Sequence, residues 1–282
     1  MGNQIHWYPG HMNKALHEME ERIKAIDVVI EVFDARIPLS SVNDEFEDFI
    51  KNKKRLYIFN KSDLADENQT KLWKDKLAQD GKSALFVDVA HNDVSNFINK
   101  QIDLLAKDKH QKEIARGMKP QPVKVMIIGI PNVGKSSLIN RLAKRKAAGV
   151  ENRPGFTRGE QFIKVNNNYL LVDTPGILPA SYEDKRKAAN LALIGSIKED
   201  ILPTRELVEI LLKTLSKLYP NALKARFDID NLDNVDDVLL AICKKRGLLI
   251  SGGTFDTIKA ESLLLKEFKE GKLGRFTIEW AK

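Results

Sequence analysis

Two short runs carry side chains and backbone that could hold a nucleotide. Gly129-Ile130-Pro131-Asn132-Val133-Gly134-Lys135-Ser136 fits G-x-x-x-x-G-K-[ST], a pattern that average residue usage would produce in a chain of this length only about once in a hundred. An apolar strand precedes it and Ser137 to Leu142 reads as a helix, so backbone N–H groups and a helix N-terminus converge on phosphate. Asn132, Val133, Gly134, Lys135, Ser136 and Ser137 then form a phosphate cradle, with Lys135 neutralising the β- and γ-phosphates and the Ser136 hydroxyl placed for magnesium. Upstream, Asn60-Lys61-Ser62-Asp63 is predicted to read guanine. Asp63 would accept both guanine N–H donors, Asn60 would bond the ring edge and Lys61 would cover its face. The other reading of this run is a polar turn after a strand. In ordinary GTP-binding folds the cradle comes before the reader; here the order is reversed, which is the order of a circularly permuted chain.

The remaining chemistry follows the cradle. Asp173-Thr174-Pro175-Gly176 closes an apolar strand, offering Asp173 to magnesium and the Gly176 N–H to a γ-phosphate. Asp-x-x-Gly arises about once by chance in such a chain, so its weight comes from its position. Thr157, in Arg153-Pro154-Gly155-Phe156-Thr157, is the candidate switch residue that senses the γ-phosphate through magnesium. The strand ending near Val89-Ala90-His91 places Val89 and Ala90 against guanine, with only a backbone role assigned to Val89. Ile177 stands where Ras-like enzymes carry the glutamine that orients the attacking water, and isoleucine cannot hold a water. His11, in Trp7-Tyr8-Pro9-Gly10-His11-Met12, is a candidate substitute, because imidazole can orient water or accept its proton. The residues alone favour a structural or RNA-contacting histidine over that role.

Elements that could position these groups are legible in the patterning. Apolar runs at 27–33, 55–59, 84–89, 124–128 and 169–172 alternate with helical stretches, which reads as an α/β fold: a P-loop GTPase domain with a mainly parallel sheet. A helix from Phe97 to Arg116 ends in Gly117-Met118-Lys119-Pro120-Gln121-Pro122, the one linker-like break. After Pro179 helical periodicity takes over, so the division expected is 1–179 for the permuted GTPase domain and 180–282 for a smaller helical domain. Because the chain leaves the second switch straight into those helices, the γ-phosphate state is expected to set their orientation.

The 282 residues are 43% hydrophobic and 30% charged, which suits a folded protein with a large core. Cys243 is the one cysteine, so no internal disulfide framework exists, and cytoplasm is the expected compartment. No apolar run approaches the roughly 20 residues of a membrane span, and Met1-Gly2-Asn3-Gln4 lacks the regions of a signal peptide. A net charge of +7 favours a polyanionic partner. Basic residues group at Lys107, Lys109, Lys112, Arg116, Lys119 and Lys124, at Arg141, Lys144, Arg145 and Lys146, and at Lys244, Lys245 and Arg246. Such groups could neutralise RNA phosphates, or could be solvated charged faces.

With these residues assembled, the chain resembles the YlqF-related circularly permuted GTPases. The matches are Trp7-Tyr8-Pro9-Gly10-His11-Met12, Asp34-Ala35-Arg36-Ile37-Pro38, the reader, the cradle, Asp173-Thr174-Pro175-Gly176-Ile177 and Lys245-Arg246-Gly247. The resemblance implies binding to a precursor of the bacterial large ribosomal subunit and its ribosomal RNA, with GTP hydrolysis to GDP stimulated by that particle, and it implies His11 as the catalytic group. It also implies a potassium ion on Asn132 beside magnesium on Ser136, Thr157 and Asp173. A soluble monomer without a membrane partner is expected. Two other readings remain: a nucleotide-dependent binding module with negligible hydrolysis, and a GTPase serving a protein or a tRNA-modification partner. Replacing Asp63 by asparagine is expected to weaken GTP and shift preference toward xanthosine triphosphate in competition binding; unchanged guanine selectivity would remove Asp63 from the reader.

Overall fold

The computed structural model describes residues 5–6, 10–143, 150–151, 162–165, 168–172, 174, 176–178, 181–182, 184–197 and 202–281. In chain order its strands are β1 (Ile5–His6), β2 (Val28–Asp34), β3 (Lys54–Asn60), β4 (Ala84–Phe86), β5 (Val123–Ile128), β6 (Val150–Glu151), β7 (Phe162–Lys164), β8 (Tyr169–Val172) and β9 (Ser181–Tyr182). The helices are α1 (Gly10–Ile23), α2 (Glu47–Ile50), α3 (Glu67–Gln79), α4 (Ser95–Ala115), α5 (Lys135–Leu142), α6 (Lys185–Leu193), α7 (Thr204–Leu218), α8 (Lys224–Phe227), α9 (Val235–Arg246) and α10 (Thr257–Lys269).

Seven strands form one sheet in the order β4-β3-β2-β5-β8-β7-β6. The five neighbours from β4 to β8 run parallel, and β7 and β6 are antiparallel. Every residue of β2 is buried, as expected of a central parallel strand covered on both faces. Strands that follow β5 in the chain lie on one side of it, and strands that precede it lie on the other. The chain is therefore a P-loop GTPase fold opened and rejoined, and the join is the segment from α4 to β5. Lys109 fastens that join, donating to the carbonyls of Gln121 at 3.1 Å and Pro122 at 3.2 Å.

The anticipated strands are β2, β3, β4, β5 and β8. The third is shorter than expected: β4 stops at Phe86, because Asp88 turns the chain by accepting the N–H groups of Ala90 and His91. α1 begins at Gly10, so the His11 backbone lies in that helix's first turn. Helices α6 to α10 follow the seven-stranded sheet in the chain, and the apolar core is continuous across residue 180: Val28, Ile30 and Ile37 share one cluster with Leu207, Leu211, Ile242 and Leu264.

Among the buried polar residues, Glu31 lacks a full set of partners. Glu31, in β2, is 7% exposed and its Oε1 has no hydrogen-bond partner, with Arg55 the nearest cation at 3.7 Å. Burial, partly offset by Arg55, pushes its carboxyl up to about 7. Between the unfolded value near 4.5 and about 7 the folded protein holds a proton that the unfolded chain releases, so stability falls as pH rises through that window. Glu31→Gln is expected to remove this slope. Its urea stability relative to the unsubstituted protein should rise from pH 4 to pH 8 by as much as about 3 kcal/mol, and a constant difference across that range would refute the assignment.

Candidate functional site

The parallel register brings the C-terminal ends of β2, β3 and β5 to one edge, with Asp34 opposite Asn60. Crevices at such edges are where open α/β sheets bind ligands. Beyond β5, the cradle turns through Asn132 (φ 61°) and Gly134 (φ 100°) into α5. Both lie in the left-handed region, and at Gly134 a Cβ would come within 2.2 Å of the Asn60 amide nitrogen. Gly176 closes over the cradle so tightly that a Cβ would lie 2.8 Å from Pro131 and 2.9 Å from Lys135 Nζ. Lys135 is buried and donates to the Ile130 carbonyl at 2.8 Å. Ser136 and Ser137 are exposed on the first turn of α5.

Asn60 joins three loops. It is 4% exposed, donates from Nδ2 to the Val133 carbonyl at 2.8 Å and accepts the Val89 N–H at 3.0 Å. The expected bond to a base edge is thus joined by a second role: Asn60 sets the distance between reader, cradle and the loop after β4. That loop is further fixed by Arg141, whose guanidinium donates to the carbonyls of Val89 at 3.0 Å and Ala90 at 2.6 Å. Its cluster with Lys144, Arg145 and Lys146 could serve RNA phosphates or be a solvated face, but the hydrogen bonds of Arg141 place it inside the site. The Asp63 carboxylate sits half-buried, its ligand atom within 4.8 Å of those of Asp88 and His91, so the reader and the loop after β4 face each other.

Beneath the reader lies Asp34, which is fully buried. Its carboxylate accepts from Arg36 Nε at 2.9 Å and Nη2 at 2.8 Å, and pairs with Lys61 Nζ at 3.0 Å. Burial alone would raise the Asp34 carboxyl; the Arg36 guanidinium and Lys61 ammonium outweigh it and hold the group well below the usual carboxylate range. Lys61 has a φ of 59°, an uncommon conformation for a side chain of its size, stabilised by the ion pair that its ammonium makes below. Its stem remains available to a base while its charge is held from beneath.

The helical part is bonded to both ends of this site. Asn132 donates from Nδ2 to the Gly195 carbonyl at 2.6 Å, and the Ser196 hydroxyl donates to the Pro131 carbonyl at 2.8 Å. At the reader, Arg36 Nη1 donates to the Lys269 carbonyl at 3.0 Å, at the C-terminus of α10 where a cation is favoured. The segment after α10 then returns over the reader: Arg275 donates to the carbonyls of Ser62 and Ala65, each at 2.9 Å, and the Phe276 N–H donates to Leu64 at 3.0 Å.

Ile177 is fully buried in an apolar cluster with Met19 and Ile23 of α1, and its carbonyl accepts from Asn43 at 3.1 Å. β1 pairs with β9, Ile5 opposite Tyr182, so the N-terminal segment is tied to the chain leaving the second switch. Thr157, Asp173, Pro175, Lys144, Arg145 and Lys146 lie outside the described residues, as does the side chain of His11. Of the basic groups, Lys109 is engaged with Asp27 and Glu113, and Arg246 with Glu267, whereas Lys244 and Lys245 are exposed. Asp34, Arg36, Asp88 and Arg141 gained site roles that spacing did not assign. Only the Asp34-Ala35-Arg36 run, singled out for its resemblance, could have signalled any of them.

Residues 124–244 match the 50S ribosome-binding GTPase family. The chain is 41% identical over 276 residues to ribosome biogenesis GTPase A of Bacillus cereus, an alignment covering 98% of this chain and 93% of that one. It is 40% identical to the protein of that name from Bacillus licheniformis, covering 98% of each. The chain belongs to the ribosome biogenesis GTPase A family. It is a GTPase. The GNP-bound structure of YlqF from T. maritima superposes with a TM-score of 0.66 at 25% identity, over 95% of this chain and 99% of that one. Among the described residues no helix of the GTPase is long and apolar enough to cross a membrane.

Because both amide atoms of Asn60 have buried partners, Asn60→Ala strands a carbonyl and an N–H. The nucleotide-free protein is expected to lose about 2 kcal/mol of urea stability, and GDP and GTP to weaken together. Unchanged stability with weakened nucleotide would instead assign Asn60 to the base alone.

Proposed function

We propose that the chain hydrolyses GTP as an assembly factor for the large ribosomal subunit, with its precursor particle stimulating the reaction. The burial of Ile177 carries this reading: the position after Gly176 offers no polar side chain to a water, and its residue serves as apolar support for the helix on which His11 sits. A reaction partner that sets α1 and its first turn would then complete the site. The names of the matched family and relatives, a 50S ribosome-binding GTPase and ribosome biogenesis GTPase A, supply the particle.

In this reading Asn60, Lys61, Ser62, Asp63, Val89 and Ala90 surround guanine, and Asn132 to Ser137 with Gly176 surround the phosphates. Ser136 presents an exposed hydroxyl beside buried Lys135, a hard oxygen donor that fits magnesium. Thr157 and Asp173 would complete the magnesium ligands; when bound, the ion neutralises charge developing on the phosphate oxygens. With its amide nitrogen given to Gly195, Asn132 keeps Oδ1 for potassium. Lys135 stabilises the phosphate charge, and His11 orients the attacking water. The helical part, 180–282, contacts ribosomal RNA, and the exposed Lys107, Lys112, Arg116, Lys119, Lys244 and Lys245 are available to phosphates. The protein works in the cytoplasm, as a monomer.

His11→Ala is expected to leave GTP and GDP affinity intact while lowering particle-stimulated single-turnover hydrolysis about a hundred-fold or more. Full stimulated activity in that variant would remove the catalytic assignment, hydrolysis unaffected by the particle would favour a nucleotide-sensing module, and binding insensitive to salt would favour a protein partner.

A further inference from the structure

A groove of about 710 Å³ lies at the seam between the sheet and the helical part, lined by Leu39, Arg186, Lys187, Lys217 and Trp280 among others. Its size is that of a small-molecule or single-nucleotide site. Trp280 is 40% exposed, large for an indole, yet it is not loose. Its Nε1 donates to the Tyr219 hydroxyl at 3.2 Å, and the two rings meet edge to face at 5.9 Å. The Tyr219 hydroxyl in turn donates to the Thr277 carbonyl at 3.1 Å. An aromatic platform is thus held in place with much of its surface open to the groove.

The charges around it are sorted. Both Glu279 carboxylate oxygens face inward: they accept the N–H groups of Leu39 at 2.7 Å and Ser40 at 3.0 Å, and the Asn190 amide at 2.9 Å. Asp184 caps α6 by accepting the Arg186 N–H at 2.8 Å. The cations are not consumed in the same way. Arg186 and Lys217 are exposed and form no ion pair among the described residues, and Lys187 reaches only an exposed Asp44 at 3.3 Å. An indole face beside unneutralised cations in a concave site recognises a flat ring that carries a phosphate.

We infer that this groove binds an unpaired RNA nucleotide, its base stacked on Trp280 and its backbone phosphate on Arg186 and Lys217. The occupant must be unpaired, because bases inside a duplex already stack on their neighbours and present only their edges. This inference rests on the RNA reading of the helical part and adds a specific site to it. The site also touches the nucleotide machinery. Glu279, next to Trp280, holds Leu39 and Ser40, and its carbonyl accepts from Trp73 Nε1 at 2.8 Å, so the groove's floor belongs to the segment that follows Arg36.

The test uses the full chain, with fluorescence anisotropy of labelled poly(U) and, separately, co-sedimentation with the large-subunit precursor. Trp280→Ala and the double variant Arg186→Glu, Lys217→Glu are each expected to weaken poly(U) about ten-fold or more. Trp280→Phe should restore most of the affinity, and removing the two cations should lower the salt slope by about 1.4. Hydrolysis without RNA should stay unchanged. The double variant alters only exposed residues, so it decides the matter if Trp280→Ala fails to fold. Variants that bind poly(U) as the unsubstituted protein does, while that protein still sediments with the precursor, would overturn this site and leave the RNA reading standing. An unsubstituted protein that does not sediment with the precursor would overturn both. Selective loss of poly-glutamate binding with poly(U) retained would overturn the site in favour of an acidic protein segment.

Discussion

A carboxylate without exposed surface, Asp34, is the point on which the site's geometry turns. Placing that charge at the end of a buried central strand carries a desolvation cost that only close cations and hydrogen bonds can offset. Arg36 and Lys61 supply them, and in doing so fix two things that are far apart in the chain. Lys61 draws the reader loop down onto the sheet in an unusual backbone conformation. Arg36 extends its remaining donor to the end of α10. Removing either cation would leave a buried charge undercompensated, a change that costs about 3–5 kcal/mol where one partner of a buried pair is lost.

Asn60 performs the same kind of work without charge. Its two amide atoms hold the cradle at Val133 and the loop after β4 at Val89, and the absence of a Cβ on Gly134 is what lets it approach. These are contacts through space between strand ends, so they do not depend on which strand comes first in the chain. That is why the reader can precede the cradle: opening the sheet at one loop and joining it through the segment that Lys109 fastens leaves every such contact in place.

What the rearranged order does change is where the chain leaves the site. The helical part is attached at the cradle through Gly195 and Ser196, and at the reader through α10 and the segment after it. The N-terminal strand, meanwhile, pairs with the residues that leave the second switch. Cradle and reader are therefore both hydrogen-bonded to the helical part. The γ-phosphate state is expected to set the orientation of the helices through the second switch, and these bonds add direct attachments at the cradle and at the reader.

Legibility of the chain followed the range of the interactions involved. β2, β3, β5, β8 and the long helix α4 were readable because their apolar periodicity is local, and the cradle and reader because a phosphate and a base demand particular residue types at fixed spacing. β6, β7 and the pairing of β1 with β9 left no such trace, since two or three residues are too few to show a period and take their conformation from a partner strand. Arg141 looked like one more surface cation; only the fold brings its guanidinium to two carbonyls some fifty residues upstream. Trp280 gave no signal at all until the chain's end folded back onto Tyr219 and the sheet. The residue types and their order determined by themselves that this chain holds a guanine nucleotide on a permuted sheet. Which buried groups space the loops, and how the helices grip them, was decided by tertiary structure, because burial and long-range hydrogen bonds are properties of neighbours in space, which a linear order of residues does not record.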